Sequence, residues 1–397
     1  MAKIFISYVM VLLSFWVSPT TAKTLSDLYD NTRIRMSRIQ DASPEKINNE
    51  VKAVNSWLQG PISLQLTALP STSSQGTDEY EMGVYVPFRS PEGQRLDQQQ
   101  RDLSNLSEAL HEERFSLLVS GVVREALWRR LSAQALVDGL EAKQQWLTST
   151  GEVIAQKFSV GDIDRITYLR WQQERLSHQL ALKKAQLALA TATTYYQQVL
   201  GTEELPNNPA EETKSISEGN SQALLQQHPD LKLLKLGQSQ LNLNYRLADQ
   251  GLSPWTLGVI ARQLRGVVGN ENLVGVSINI PLTGGNTTTA NDYAVWQDAN
   301  NAMTEALAQT YTRLLLQMNE ATNDYALSSE AQETLTEQIA IGEQITSLLQ
   351  DQADSIPKVY WLEQLIAHQD LLIEQAQMRI RRQEAIAKMN QIAGVVL

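Results

Sequence analysis

The chain has 397 residues, 42% of them hydrophobic, enough for two or three ordinary domains with buried cores, and it carries a formal net charge of −11. That charge, with no patch-like run of Lys or Arg, excludes nucleic acid as a partner, because phosphate binding needs clustered cations. The chain has 0 cysteines, which excludes disulfides and any lipid carried on a cysteine, so packing or assembly must hold the structure.

Lys3, the apolar run Ile4 to Val17 and the small residues Ser18-Pro19-Thr20-Thr21-Ala22 read as an export signal over 1–22, cleaved after Ala22. No later run reaches the roughly 20 apolar residues of a membrane helix, so any further membrane contact falls to strands. Thr24 to Trp57 reads as helix, broken near Ser43-Pro44. A strand follows over about 61–69, where Ile62, Leu64, Leu66 and Ala68 alternate with Ser63, Gln65 and Thr67, and a second over about 79–87, ending at Pro87-Phe88. Helix resumes by about Leu96, pauses at a tip over about 159–163 (Ser159-Val160-Gly161-Asp162), and runs again from Ile163 to Leu200.

Gly201 ends that helix, and residues 206–220, rich in Pro, Asn, Glu and Ser, form a linker. Helix returns from Leu231 to Ala248 and stops at Pro254. Two strands, about 254–262 and about 272–281, flank a polar run from Arg262 to Asn270 that reads as a loop. The third strand sets Thr256, Gly258 and Ile260 against Trp255, Leu257, Val259 and Ala261; both faces are mild, one more apolar, which fits a barrel wall and a half-buried soluble sheet alike. After Pro281, Gly284 and Gly285, helix spans Thr288 to Asp351, a second tip falls at about 352–357, and helix continues almost to the end.

The two halves match. Pro61 and Pro254 precede equivalent strands at an offset of 254 − 61 = 193, Pro87 and Pro281 close them at 281 − 87 = 194, and Leu169 and Leu362 follow the tips at 362 − 169 = 193. This predicts a duplicated unit of helix, strand pair and long helical hairpin, with a first repeat over 23–205 and a second over 221–397. In the longest helix Leu307, Tyr311, Leu314, Met318, Ala321 and Tyr325 are spaced alternately by four and three, a coiled-coil seam with small or polar-tipped residues at some core sites. That seam suits shallow packing on two sides, as in a ring of helices, and also an antiparallel bundle. Four strands cannot close a barrel, and an open sheet in lipid leaves its edges unsatisfied; three copies give about twelve strands, an even number in the range of outer-membrane barrels. The fold class is therefore mainly α with a small β part, assembled as a trimer with a 12-stranded β-barrel and an α-helical barrel.

The duplication, the strand Val276-Ser277-Ile278-Asn279-Ile280-Pro281-Leu282 followed by Gly284-Gly285, and the Val160-Gly161 turn ahead of Tyr168-Leu169 resemble the outer membrane efflux proteins, the TolC-like exit ducts of Gram-negative bacteria. The resemblance covers nearly all of the mature chain, and Ser253 to Val259 with the short overall length look like the heavy-metal cation efflux branch. It implies a homotrimer in outer membrane lipid, extending into the periplasm and docked by its hairpin tips to a periplasmic adaptor and an inner-membrane pump. Val160, Gly161 and Asp162 are then the adaptor-contact residues; the second tip, Asp354-Ser355-Ile356-Pro357, departs from the family's Val-Gly turn. Acidic rings near this end constrict the tunnel in the family, and Asp351, Asp354 and above all Glu363 match them by position; solvated helix-end acids read the same way. Arg165 and Lys358 stand at equivalent points of the two tips, where either could pair with Asp162, Asp164 or Asp354 as a latch, each pair contributing only about 0–1 kcal/mol.

Tyr168 and Trp361 read as packing residues between helices, and Trp255 and Tyr85 as rings at a membrane interface or as ordinary strand packing. His111, His178, His228 and His368 are isolated and no Gly-rich phosphate loop follows a strand, so neither an enzyme, a metal site nor a cofactor is expected. The reading is a passive duct for small molecules or metal cations. A type I protein secretion duct shares its architecture; a periplasmic adaptor or structural coiled-coil protein is the alternative from another class.

Overall fold

The computed structural model describes residues 24–41, 57–212, 221–249, 255–281, 288–351 and 358–397. The export signal, the Ser43-Pro44 break, Pro254, Gly284-Gly285 and the second tip with Asp354 lie outside these residues. The described elements are α1 (Leu25–Asp41), β1 (Ser63–Leu69), β2 (Asp78–Phe88), α2 (Pro91–Ser159), α3 (Arg165–Leu200), α4 (Ser221–Gln226), α5 (Pro229–Asp249), β3 (Trp255–Gly266), β4 (Gly269–Asn279), α6 (Ala290–Asp351) and α7 (Lys358–Ile392). The chain is mainly helical with one small sheet, as the sequence predicts.

Helix ends follow from local chemistry. Ser90 accepts a hydrogen bond from the Gly93 N–H at 3.1 Å and Pro91 opens α2, several residues earlier than the apolar pattern shows. Asp164 caps α3 through the Thr167 N–H at 2.6 Å. Thr24 with Asp27, and Thr289 with Asp292, exchange side-chain and backbone bonds as reciprocal caps of α1 and α6.

At 69 residues α2 is about 100 Å long. It lies between α3 and α7, and α6 flanks α7, so the four long helices stand side by side in the order α3, α2, α7, α6. Helix α1 packs on α2 beside the end of α3, with Leu28 and Tyr29 joining Val119, Val123, Leu127, Tyr196 and Leu200 in one apolar cluster. A layer one helix thick has no single core, and separate clusters are spaced along it. The seam read in α6 forms one of these: Leu314, Met318 and Ala321 are buried and Leu307, Tyr311 and Tyr325 pack against them, facing Leu225, Leu231, Ile386 and Met389.

The strands form one antiparallel sheet in the order β1-β2-β3-β4, with β1 and β4 at its edges. The run expected as a loop, Arg262 to Asn270, is instead the end of one strand and the start of the next, joined at Val267-Val268 with Gly266 opposite Gly269. Its charges belong to strand because Arg262 pairs with Glu79 at 3.0 Å and Glu81 at 2.6 Å on β2.

Candidate functional site: the sheet, the equator and the hairpin tip

Register sorts the sheet into two faces. Because Leu64 pairs with Val84, Val84 with Val259 and Val259 with Val276, side chains of like parity line up across all four strands. One face carries Leu64, Leu66 and Ala68; Tyr80, Met82, Val84, Val86 and Phe88; Trp255, Leu257, Val259 and Ala261; and Val274, Val276 and Ile278. Much of it lies open, Leu66 at 70% and Val274 at 82%. Rings bound it. Phe88 stands opposite Trp255 with Trp57 at 4.8 Å, and at the other end Tyr80 lies under the Arg265 guanidinium. The opposite face carries Gln65, Thr67, Glu79, Glu81, Thr256, Arg262, Ser277 and Glu271, with Leu69, Ile260, Leu264 and Leu273 its large apolar members. Trp255 thus sits at the end of the apolar face, a place open to either reading of it. Tyr85 does not: it belongs to the polar face, its ring over Gly83 and Gly258.

The two edge helices present apolar stripes away from the layer. On α3, Trp171, His178 and Ala185 are buried, whereas Leu169, Leu180 and Leu187, each two residues away and so about 200° around the helix, are exposed. On α6, Leu316, Leu327 and Ile341 hold the same relation to the packed Leu314, Tyr325 and Ile339.

Midway along the helices the chain buries charge. Arg124 of α2 grips both carboxylate oxygens of Glu211 at 2.8 and 2.7 Å and also donates to the Gln391 Oε1 and the Val395 carbonyl. Both side chains of this pair are nearly sequestered, and Asn390 adds a bond to Glu211 at 2.9 Å. The hub joins α2, the segment between α3 and α4, and the end of α7. Sequence reading missed it; the one signal was a lone Arg in the apolar run Val122-Val123-Arg124-Glu125-Ala126-Leu127. The long helices also line an open trough of about 1060 Å³, where Glu125, Glu320, Asp324 and Glu384 are interspersed with Arg129, Lys184 and Lys388.

Nearer the tip Lys143 is buried between Glu174 of α3 at 2.8 Å and Asp370 of α7 at 2.7 Å. Burial alone would lower its ammonium pKa, but the bonds to Asp370 and Glu174 outweigh it and the net shift is upward. His178 packs nearby, and its pKa is lowered by burial and by the Lys143 charge.

The first tip is a tight turn. Gly161 takes a left-handed φ of +79°, its N–H bonds the Phe158 carbonyl at 3.1 Å, and the Asp162 N–H reaches back to the Lys157 carbonyl at 2.9 Å. Glycine adopts that φ without the strain a Cβ would bring, and Val160, one residue before it, is 74% exposed. Asp162 pairs with Lys157 at 3.0 Å; this bond, helped by the charge of Lys358, holds its carboxyl below the usual range. Hydrogen bonds from Thr167 do the same for Asp164. The pairings expected for Arg165 differ: it is exposed and makes no ion pair among the described residues, because Asp162 and Asp164 are engaged within their own turn. Glu363 faces Arg170 of α3 at 3.6 Å, a partner the sequence did not reveal, in an open cleft of about 310 Å³ with Glu174 and Asp370. Asp351 is the last residue of α6. Tyr168 and Trp361 pack against Ile154, Ile163, Trp171 and Leu362, as expected of residues between helices, and Phe158 stacks on Tyr168 at 4.4 Å.

Among the described residues no group of three or more His, Asp or Glu side chains could hold a metal ion, and no helix is long and apolar enough to cross a membrane. No protein-family model matches the chain, and no curated protein is similar to it. Solved structures do match over almost their full length. The open-state MtrE outer membrane channel of Neisseria gonorrhoeae superposes with a TM-score of 0.63 at 13% identity, covering 95% of this chain and 90% of that one. The chain has the fold of outer membrane channels. The outer membrane protein VceC of Vibrio cholerae (TM-score 0.59, 13% identity, 94% and 96% of the two chains) and the channel-forming CusC (0.59, 13%, 94% and 92%) share it. The resemblance to TolC-like outer membrane efflux proteins therefore holds at the level of fold.

Proposed function

We propose that this chain is the outer-membrane channel subunit of a tripartite efflux system, a passive exit duct for small molecules or metal cations whose energy comes from an inner-membrane pump. The observation that carries it is the strand register, which gives one sheet an apolar face bounded by rings and a polar face opposite. Tyr80 to Phe88 spans about 27 Å along the strand at ~3.4 Å per residue. Tilted by about 40° this makes a band about 20 Å tall, near the ~25 Å of an outer-membrane barrel.

The sheet's open edges and the outward stripes of α3 and α6 call for lateral partners at both levels at once. Three copies satisfy both, joining β4 to β1 and α6 to α3 around a ring of about twelve strands. The two repeats, divided by a linker at 206–220, each contribute one strand pair and one hairpin. The polar face and the mixed-charge trough then line the conduit, with neither sign of charge in large excess along the trough, so cargo is passed rather than held. The exposed Val160-Gly161-Asp162 turn supports adaptor docking there, and Glu363, with Arg170 across the cleft, supports a constriction at the tip.

In fractionated cells the protein is expected in the outer membrane as an SDS-resistant trimer that dissociates on heating. Cysteines placed on the two stripes at one level, such as Leu187→Cys with Leu327→Cys in an otherwise cysteine-free chain, should crosslink between copies. Recovery as a soluble monomer that does not crosslink would overturn the reading.

A further inference from the structure

Nearly every residue of the four strands is partly or fully exposed, and the two that are buried have no side chain: Gly83 and Gly258. One ring covers both. A Cβ placed on Gly83 would lie 2.7 Å from the Tyr85 Cε2 and 2.9 Å from its hydroxyl; one on Gly258 would lie 2.7 Å from Cδ1 and Cε1. Real Cβ atoms do not approach that closely, so the ring rests directly on backbone. The row through Tyr85 is small as well: Tyr85 pairs with Ser63 on β1 and Gly258 on β3, and Gly258 pairs with Ser277 on β4, while Gly83 lies between the larger Gln65 and Ile260. Across four strands, the sequence leaves a shallow bed the size of one aromatic side chain.

We infer that this bed sets the bore of the conduit: Gly83 and Gly258 let Tyr85 lie flat on the wall, and the width at this level depends on the ring staying down. The inference rests on the polar face being the lumen. A tyrosine on a strand ordinarily stands roughly perpendicular to the sheet; from each of three copies it would project into the opening. Lying across the glycines, the ring shields their backbone and restores the packing that two missing side chains would forfeit. Gly83 is the sharper probe, because within 3 Å its added methyl meets only the ring of Tyr85, whereas at Gly258 it also meets the Ser277 hydroxyl.

The test is the size cut-off for polyethylene glycols entering purified channels in planar bilayers, added on the side of the strands. Gly83→Ala should lift the ring and shift the cut-off to smaller polymers; Tyr85→Ala should shift it to larger ones, and adding Gly83→Ala to Tyr85→Ala should change nothing more. If Gly83→Ala shifts the cut-off equally with and without the ring, or both single variants leave it unmoved and alter only the melting temperature, Tyr85 is a packing residue and the inference fails. Should Gly83→Ala not assemble, Tyr85→Ala decides alone, an unmoved cut-off overturning it. A wild-type protein that forms no channel would instead count against the conduit.

Discussion

The sheet and the equator solve the problem of burial in opposite ways. In the sheet almost no side chain is hidden, and what has been arranged is which neighbours stand on which side. At the equator Arg124 and Glu211 are withdrawn from water and satisfied by each other, by Gln391 and Asn390 and by a backbone carbonyl. The equator is complete within one chain. The sheet has an open apolar face and two unpaired edges, which the proposed assembly would cover with lipid and with strands of sister copies. Interactions that close locally and interactions that wait for assembly therefore occupy different levels of the same molecule, and their substitutions should fail in different ways.

The largest effect falls on the self-contained part. Arg124→Ala leaves the Glu211 carboxylate buried without its counter-ion, and breaking such a pair costs about 3–5 kcal/mol. The unfolding midpoint of the extracted protein should drop accordingly; a shift no larger than that of a surface substitution would mean the pair is solvated. Next come adjacent residues of β3. Val259→Arg puts a charge in the middle of the apolar face and should cost about 2–4 kcal/mol in membrane insertion. Ile260→Arg, one residue on but facing the polar side, should change insertion by about 0.5 kcal/mol or less. Equal effects would erase the distinction between the two faces.

The smallest effect is one of pH. Burial lowers the pKa of His178 and His228, so the folded chain takes up protons at these groups less readily than the unfolded chain. Their contribution to stability is complete above about 6.5 and is lost as the pH falls from there through their folded-state values. The melting temperature in detergent should be lower at pH 5.5 than at 7.5. In a His178→Gln, His228→Asn variant the difference should narrow, the asparagine replacing the helix cap that His228 Nδ1 forms with the Asp230 N–H. An unchanged difference would place the pH dependence elsewhere.

What could be read from sequence follows the same division. Alternation of side chains marked β1 and β2, aromatic and β-branched content with flanking Pro and Gly marked β3 and β4, and four-three spacing found the packed seam of α6, because these signals are local in the chain. In isolation both faces of β3 looked mild, one only somewhat more apolar. They separate only when Val84, Val86, Val276 and Ile278 are brought beside Leu257 and Val259, a matter of register between strands. Arg262 was taken for loop because its partners Glu79 and Glu81 lie on β2, far away in the chain. Arg124 and Glu211 are 87 positions apart, and Glu363 meets Arg170 only where α7 passes α3. Long-range ion pairs leave little trace along a chain, whereas a turn such as Val160-Gly161-Asp162 is written in consecutive residues.

The paired openness of the sheet also bears on how the molecule reaches its destination. A single copy in water carries a greasy surface flanked by unpaired backbone, the combination that seeds intermolecular aggregation. On the proposed assembly, the interval between synthesis and union with sister copies would be its most hazardous, and escort by a holding chaperone during transit would be protective. The seven-residue length of β1 keeps one of the two sticky margins short.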